Sequence, residues 1–178
     1  MTPFANRFFA REVTGRLFRV YVQGGNLRFV KVADPDVVRG LISFLPIAGG
    51  FVQAWWDERA RRALMARLEA DDRRDLRALL GRDACNFSIA AHQIKLAVVD
   101  PPDFAVERPH HGVLRIQTSS RKAVFLFEEL EEMTAAIRLL RESLDDLLVN
   151  HAVWSPQKKR FISERALAMS SRSLTALS

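Results

Sequence analysis

The segment from residue 113 to residue 150 constrains the fold of this chain most strongly. Residues 113–118 alternate apolar and polar side chains, and residues 123–127 form a second strand-like run after four polar residues. Apolar side chains then recur every three or four positions: Leu130, Met133, Ile137, Leu140, Leu144 and Leu147. This spacing places them on one face of a helix. The segment therefore predicts a hairpin that runs directly into one amphipathic helix near residues 129–150.

Composition is typical of one globular domain with additions. The chain has 178 residues, of which 48% are hydrophobic and 27% charged, so it is long enough to bury a core. Its one cysteine, Cys85, cannot form an internal disulfide, which favours a reducing, cytoplasmic compartment. Charges interrupt the N-terminal apolar residues, so no secretory signal is expected. Residues 41–56 are uncharged but shorter than the roughly 20 residues of a membrane-spanning helix.

The net charge of +6 is unevenly distributed along the chain. Residues 1–40 contain seven Lys or Arg against three Asp or Glu, and residues 155–178 contain five against one. Residues 123–154 contain two against seven, so the predicted helix is acidic while both ends of the chain are basic. A basic excess favours anionic partners, which include membrane head groups and nucleic acid.

The remaining segments predict further strands around a helical insertion. Residues 16–33 form a hairpin in this interpretation, because Gly24 and Gly25 supply the positive φ angles of a tight turn. Residues 36–81 are rich in helix formers and predict a helical insertion. Apolar and polar residues alternate again in residues 87–99, which predicts one bent strand or two short strands. Residues 1–15 are a lead-in without an assigned structure, and residues 151–178 predict a basic, mobile tail.

This order of elements resembles the pleckstrin-homology-like fold, including its bacterial GRAM-like versions. The resemblance covers residues 16–33 and 85–150, and its best local match is Gly112 to Phe127 followed by the acidic start of the helix. It implies an α+β domain over residues 16–150, with a bent antiparallel barrel closed at one end by the C-terminal helix.

Lipid-binding members of that family use basic residues around the first hairpin, which implies a head-group site at Arg19, Arg28 and Lys31. Arg28 and Lys31 are three residues apart, so a regular strand directs them to opposite faces, and this spacing departs from the family pattern.

The segment 41–56 is the second candidate for a binding role. Its aromatic side chains are followed by Arg59, Arg61 and Arg62, as at the head-group boundary of a membrane: Phe44, Phe51, Trp55 and Trp56. Two alternatives stay open, which are packing of the insertion against the barrel and a homodimer contact through residues 41–80. The apolar stripe of the last helix likewise fits either a barrel plug or a dimer seam.

No motif predicts catalysis, a metal or a cofactor. Four side chains lack the spacing of a zinc site or a nucleophile–base pair: Cys85, His92, His110 and His111. The acidic run at residues 128–132 is typical of a helix start. We therefore expect a non-enzymatic binding or scaffolding module, cytoplasmic and peripheral to the membrane, with an anionic membrane surface or a protein as partner. The alternative is a nucleic-acid-binding protein that uses Arg16, Arg19, Arg28 and the tail.

Overall fold

The computed structural model describes residues 6–33, 66, 70–71, 75–102 and 110–166. They form a mixed α+β structure dominated by strands, which confirms the predicted fold class at that level. The elements are β1 (Arg7–Glu12), β2 (Leu17–Gln23), β3 (Asn26–Ala33), α1 (Leu76–Leu80), β4 (Phe87–Ala90), β5 (Ile94–Asp100), β6 (Gly112–Thr118), β7 (Lys122–Phe127), α2 (Leu130–Leu144), β8 (Leu148–Asn150), β9 (Ala152–Ser155) and β10 (Arg160–Ser163).

Eight strands form one sheet in the order β4-β3-β2-β1-β7-β6-β5-β8, and β9 and β10 form a separate hairpin. All neighbours in the large sheet are antiparallel except β5 and β8. Among the described strands the ladder does not close on itself, because β4 and β8 remain its two edges. The described strands therefore form an open, rolled sheet, which does not by itself confirm the bent barrel implied by the resemblance.

The predicted first hairpin is present as β2 and β3. Gly24 and Gly25 have φ angles of 57° and 69°, and they join Gln23 directly to Asn26 across the turn. Positive φ at both central residues defines a type I′ turn, whose twist matches that of the flanking strands. The predicted bend between residues 87 and 99 is also present, as a 3₁₀ turn at residues 91–93 between β4 and β5.

A column of aromatic rings fills the interior of the roll. Phe29 on β3 stacks on Phe87 with ring centroids 4.4 Å apart, and on Phe125 of β7 at 5.0 Å. Phe18 meets all three rings edge-on. Since β2 and β1 separate β3 from β7 in the ladder, contact between Phe29 and Phe125 requires the sheet to curl on itself.

Helix α2 closes one end of this interior, as its apolar stripe predicts. Met133, Leu140 and Leu144 belong to the buried core, and the other predicted stripe residues pack against it partly buried. The helix approaches β6 closely at Gly112, where an added β-carbon would lie 2.5 Å from the Sδ atom of Met133. The stripe is therefore used within the chain, which favours the plug over the dimer seam.

The helix is shorter than predicted. It ends at Leu144 rather than near residue 150, because Asp145 takes a φ of 44°, which an L-residue in a right-handed helix does not adopt. A 3₁₀ turn at residues 145–147 then leads into β8, which pairs in parallel with β5. Leu147, predicted on the helix, packs against the core from that turn.

The sheet splits between β1 and β7, and α2 fills the gap. β7 pairs only with the last two residues of β1, so the earlier part of β1 lacks a β7 partner. The amide of Phe9 instead donates to Oε2 of Glu132 at 2.6 Å. Burial raises the pKa of Glu132, and the hydrogen bond from Phe9 acts in the opposite direction.

Replacing Glu132 separates its role as an acceptor from the cost of its charge. Glu132→Gln keeps an oxygen for the Phe9 amide and removes a partly buried charge, so we expect unchanged or higher stability at neutral pH. Glu132→Ala leaves that amide without its acceptor and should lower the free energy of unfolding by about 1 kcal/mol. Urea denaturation measures both, with the exposed Glu131→Ala as a control expected to stay within about 0.5 kcal/mol of the wild type.

The raised pKa of Glu132 also determines how its contribution to the free energy of unfolding depends on pH. Folding favours the protonated carboxyl, so its contribution to stability is present at acid pH and is lost as the pH rises through the folded-state pKa. Any gain from Glu132→Gln should therefore shrink as the buffer is acidified. A gain that grows on acidification would contradict this assignment.

The structure contains strands at both ends of the chain that the sequence interpretation did not assign. The lead-in at residues 1–15 contains β1, whose Phe8 and Ala10 lie in the core. Arg11 is also buried, and it pairs through two nitrogens with Glu128, at 2.5 and 2.8 Å, and donates to the carbonyl of Gly15 at 2.8 Å. The first part of the predicted tail contains the β9–β10 hairpin, whose Ala152 and Phe161 supply apolar anchors to the core.

Candidate functional site

The β9–β10 hairpin presents an aromatic and basic surface. Trp154 lies on β9 with 40% of its surface exposed, and its ring meets that of Phe161 edge-on at 5.5 Å between centroids. The turn between the strands carries exposed Lys158 and Lys159, and exposed Arg160 begins β10. We call Trp154, Lys158, Lys159 and Arg160 the hairpin tip.

Two side chains anchor the hairpin to the core, so the tip is held on a fixed support. Ala152 and Phe161 are 3% and 8% exposed and pack into the main core. Within the turn, Ser155 Oγ donates to the side-chain oxygen of Gln157 at 3.3 Å and accepts from the Lys158 amide at 3.4 Å. Trp154 lies across the ladder from the anchor Phe161, and Arg160 directly precedes that anchor on β10.

A charged cleft of about 620 Å³ lies at the base of the same hairpin. Asp100, at the end of β5, accepts from Nδ1 of His151 at 2.8 Å through one oxygen and pairs with Arg115 of β6 through the other. Ser163 and Arg165 line the cleft from the end of β10. Pro101 and Pro102 form an apolar part of its wall, and Glu164 also lines it.

Asp100 organises this cleft. Its side chain is 21% exposed, whereas those of Arg115 and His151 are 46% and 56% exposed. Because each carboxylate oxygen contacts one of them, Asp100 holds the side chains of Arg115 and His151 in place. Sequence reasoning missed this cluster, since its members come from three elements and no local motif links residues 100, 115 and 151.

The sheet separates Lys31 from the other two predicted head-group residues, Arg19 and Arg28. Arg19 is 3% exposed, and its guanidinium lies over the rings of Phe9 and Tyr21, 5.4 and 5.6 Å from their centroids. Arg28 lies on the same face as Arg19, across the ladder from Tyr21, and its Nη1 donates to the side-chain oxygen of exposed Gln23 at 3.3 Å. Lys31 pairs with Asp83 at 3.5 Å.

The faces of these basic residues follow the strand alternation. Arg19 pairs across the ladder with Val30, whereas Lys31 pairs with Phe18, which lies in the core cluster. Lys31 therefore lies on the opposite side of β3 from Arg28. The pKa of Asp83, the partner of Lys31, is lowered first by the hydrogen bond from the Cys85 amide and further by Lys31.

The second predicted contact set lies outside the described residues: Phe44, Phe51, Trp55 and Trp56. The histidines and the cysteine considered as ligands are dispersed. His92 lies in the 3₁₀ turn before β5, the His111 amide donates to the Phe127 carbonyl at 2.7 Å, and Cys85 follows α1. Within residues 6–33, 75–102 and 110–166, no group of three or more His, Cys, Asp or Glu side chains is arranged to hold a metal ion.

Comparison of the chain with protein-family models, with curated proteins and with solved structures finds no match. None of the helices in the described part combines the length and apolarity needed to cross a bilayer.

Proposed function

We propose that this chain is a non-enzymatic binding module with a pleckstrin-homology-like fold that acts at an anionic membrane surface. The rolled antiparallel sheet with a helix at one end supports the fold part of the proposal. The observation that carries the function is the hairpin tip, where an exposed tryptophan adjoins three basic side chains on an anchored support.

The chemistry of the tip suits a membrane interface. Tryptophan is enriched at the head-group level, where its ring is partly apolar and its N–H can meet a polar partner. Lysine and arginine near an anionic leaflet each contribute about 1 kcal/mol to binding. Neutral membranes should therefore bind the chain poorly.

The segment 41–56 has a second part in the proposal. Phe44, Phe51, Trp55 and Trp56 would add apolar contact, while the hairpin tip provides attraction and one aromatic anchor. Membrane binding that needs two signals is typical of peripheral proteins, since one weak anchor alone is readily reversible.

A vesicle sedimentation assay with the full chain tests the proposal. Reversing both turn lysines, Lys158→Glu with Lys159→Glu, should weaken binding to phosphatidylserine vesicles by about thirtyfold or more, since two charges contribute about 2 kcal/mol. Trp154→Ser should weaken it further, and Trp55→Ser with Trp56→Ser tests the segment 41–56 separately.

The matched control is Lys95→Glu with Lys122→Glu. It makes the same change in net charge at exposed sites near the other ends of β5 and β6. Equal losses in both double variants would contradict a role for the hairpin tip, as would wild-type binding that is equally strong on neutral vesicles. Salt-sensitive DNA binding that is indifferent to Trp154→Ser would favour the nucleic-acid alternative instead.

A further inference from the structure

We infer that the cleft at the base of the β9–β10 hairpin binds a phosphate group. This inference is independent of the membrane proposal, because phosphate binding in solution requires no bilayer. The cleft volume of about 620 Å³ lies within the range of small-ligand sites.

The polar lining of the cleft is rich in donors. A guanidinium has five N–H bonds, so the ion pair between Arg115 and Asp100 leaves further donors on Arg115. His151 donates through Nδ1 to Asp100, so it positions that carboxylate and adds no further donor to the count. Arg165 contributes a second guanidinium and Ser163 a hydroxyl.

The two acidic side chains of the cleft, Asp100 and Glu164, do not prevent it from binding an anion. Both oxygens of Asp100 are occupied by Arg115 and His151, so Asp100 positions donors and offers little capacity to a ligand. Glu164, which is exposed, is opposed by the guanidinium groups of Arg115 and Arg165.

Phosphate fits this arrangement better than a single carboxylate does. Its tetrahedral oxygens can accept from donors on several sides, and Arg forms bidentate hydrogen bonds with it. The donors come from Arg115 on β6, from Ser163 at the end of β10 and from Arg165 in the turn that follows, so they approach from different elements. The proline pair offers an apolar wall for the group that carries the phosphate.

Isothermal titration of the full chain with inorganic phosphate and with glycerol 3-phosphate tests the inference. We expect saturable binding to both probes, with Arg115→Gln and Arg165→Gln each weakening it by roughly tenfold or more. Arg138→Gln, an exposed arginine on α2, is the matched control and should leave the affinity unchanged. Far-ultraviolet circular dichroism verifies that each variant is folded, and Arg165→Gln disturbs no pair of Asp100.

Several results would overturn the inference. The first is the absence of saturable heat with either probe up to about ten millimolar, a concentration above the dissociation constants of typical specific binding. The second is equal affinity of the wild type and both cleft variants. Vesicles with phosphatidic acid, compared with phosphatidylserine vesicles, identify the source of the phosphate. If the chain prefers phosphatidic acid and Arg115→Gln removes that preference, the phosphate belongs to a lipid head group. If the chain binds glycerol 3-phosphate but shows no such preference, the ligand is soluble.

Discussion

Phe29→Ala is expected to lower the free energy of unfolding by about 3–5 kcal/mol, the usual cost of removing a large buried aromatic side chain. Phe29 is fully buried and stacks on both Phe87 and Phe125. The substitution therefore removes contacts that join β3 to β4 and to β7 across the roll. Urea denaturation followed by circular dichroism measures the change.

Two control variants separate the contribution of ring stacking from that of burial at position 29. Phe29→Leu keeps most of the apolar volume but removes the ring, so its smaller loss reports the stacking, which contributes about 0.5–1.5 kcal/mol for each aromatic pair. Phe9→Ala removes the same ring type from a half-buried site and should cost less than Phe29→Ala. Equal losses at positions 9 and 29 would contradict the placement of Phe29 at the centre of the roll.

Leu140→Ala is expected to cost about 2–5 kcal/mol, because Leu140 is fully buried where α2 closes the sheet. Leu130→Ala makes the same chemical change on the same helix at a partly buried position, so it should cost clearly less. Denaturation measures stability, and sedimentation velocity measures the oligomeric state. If the stripe were a dimer seam, Leu140→Ala would dissociate a dimer, whereas a plug predicts the same oligomeric state with lower stability.

Local signals in the sequence account for the elements that were predicted correctly. Gly24 and Gly25 fix the turn between β2 and β3, since both need positive φ. The alternation before and after residues 119–121 fixes β6 and β7, and the leucine spacing fixes the buried face of α2. Each of these signals lies within one hairpin or one helix.

Elements whose partners are distant in sequence were missed. The charged residues in β1 obscured the strand pattern, yet Arg11 pairs with Glu128, 117 positions away. β9 and β10 are short, and their anchors Ala152 and Phe161 become recognisable only against the assembled core. The same reason explains the charged cleft, because Asp100 and His151 are 51 positions apart.

The candidate binding surface was predicted only in its general character. The basic excess after residue 155 indicated an anionic partner, but its organisation into a hairpin beside exposed Trp154 depends on tertiary contacts. Conversely, Arg19 looked like a surface cation in the sequence and is buried over two aromatic rings. Strand alternation assigns a face to a residue, whereas it does not reveal what packs on that face.

Fluorescence of Trp154 tests the membrane proposal most directly. Replacing Trp55 and Trp56 by phenylalanine leaves Trp154 as the one tryptophan of the chain. We expect phosphatidylserine vesicles to shift its emission to shorter wavelength, and lipids brominated on their acyl chains to quench it, while neutral vesicles do neither. Unchanged emission from Trp154 in a protein that sediments with the vesicles would contradict the account.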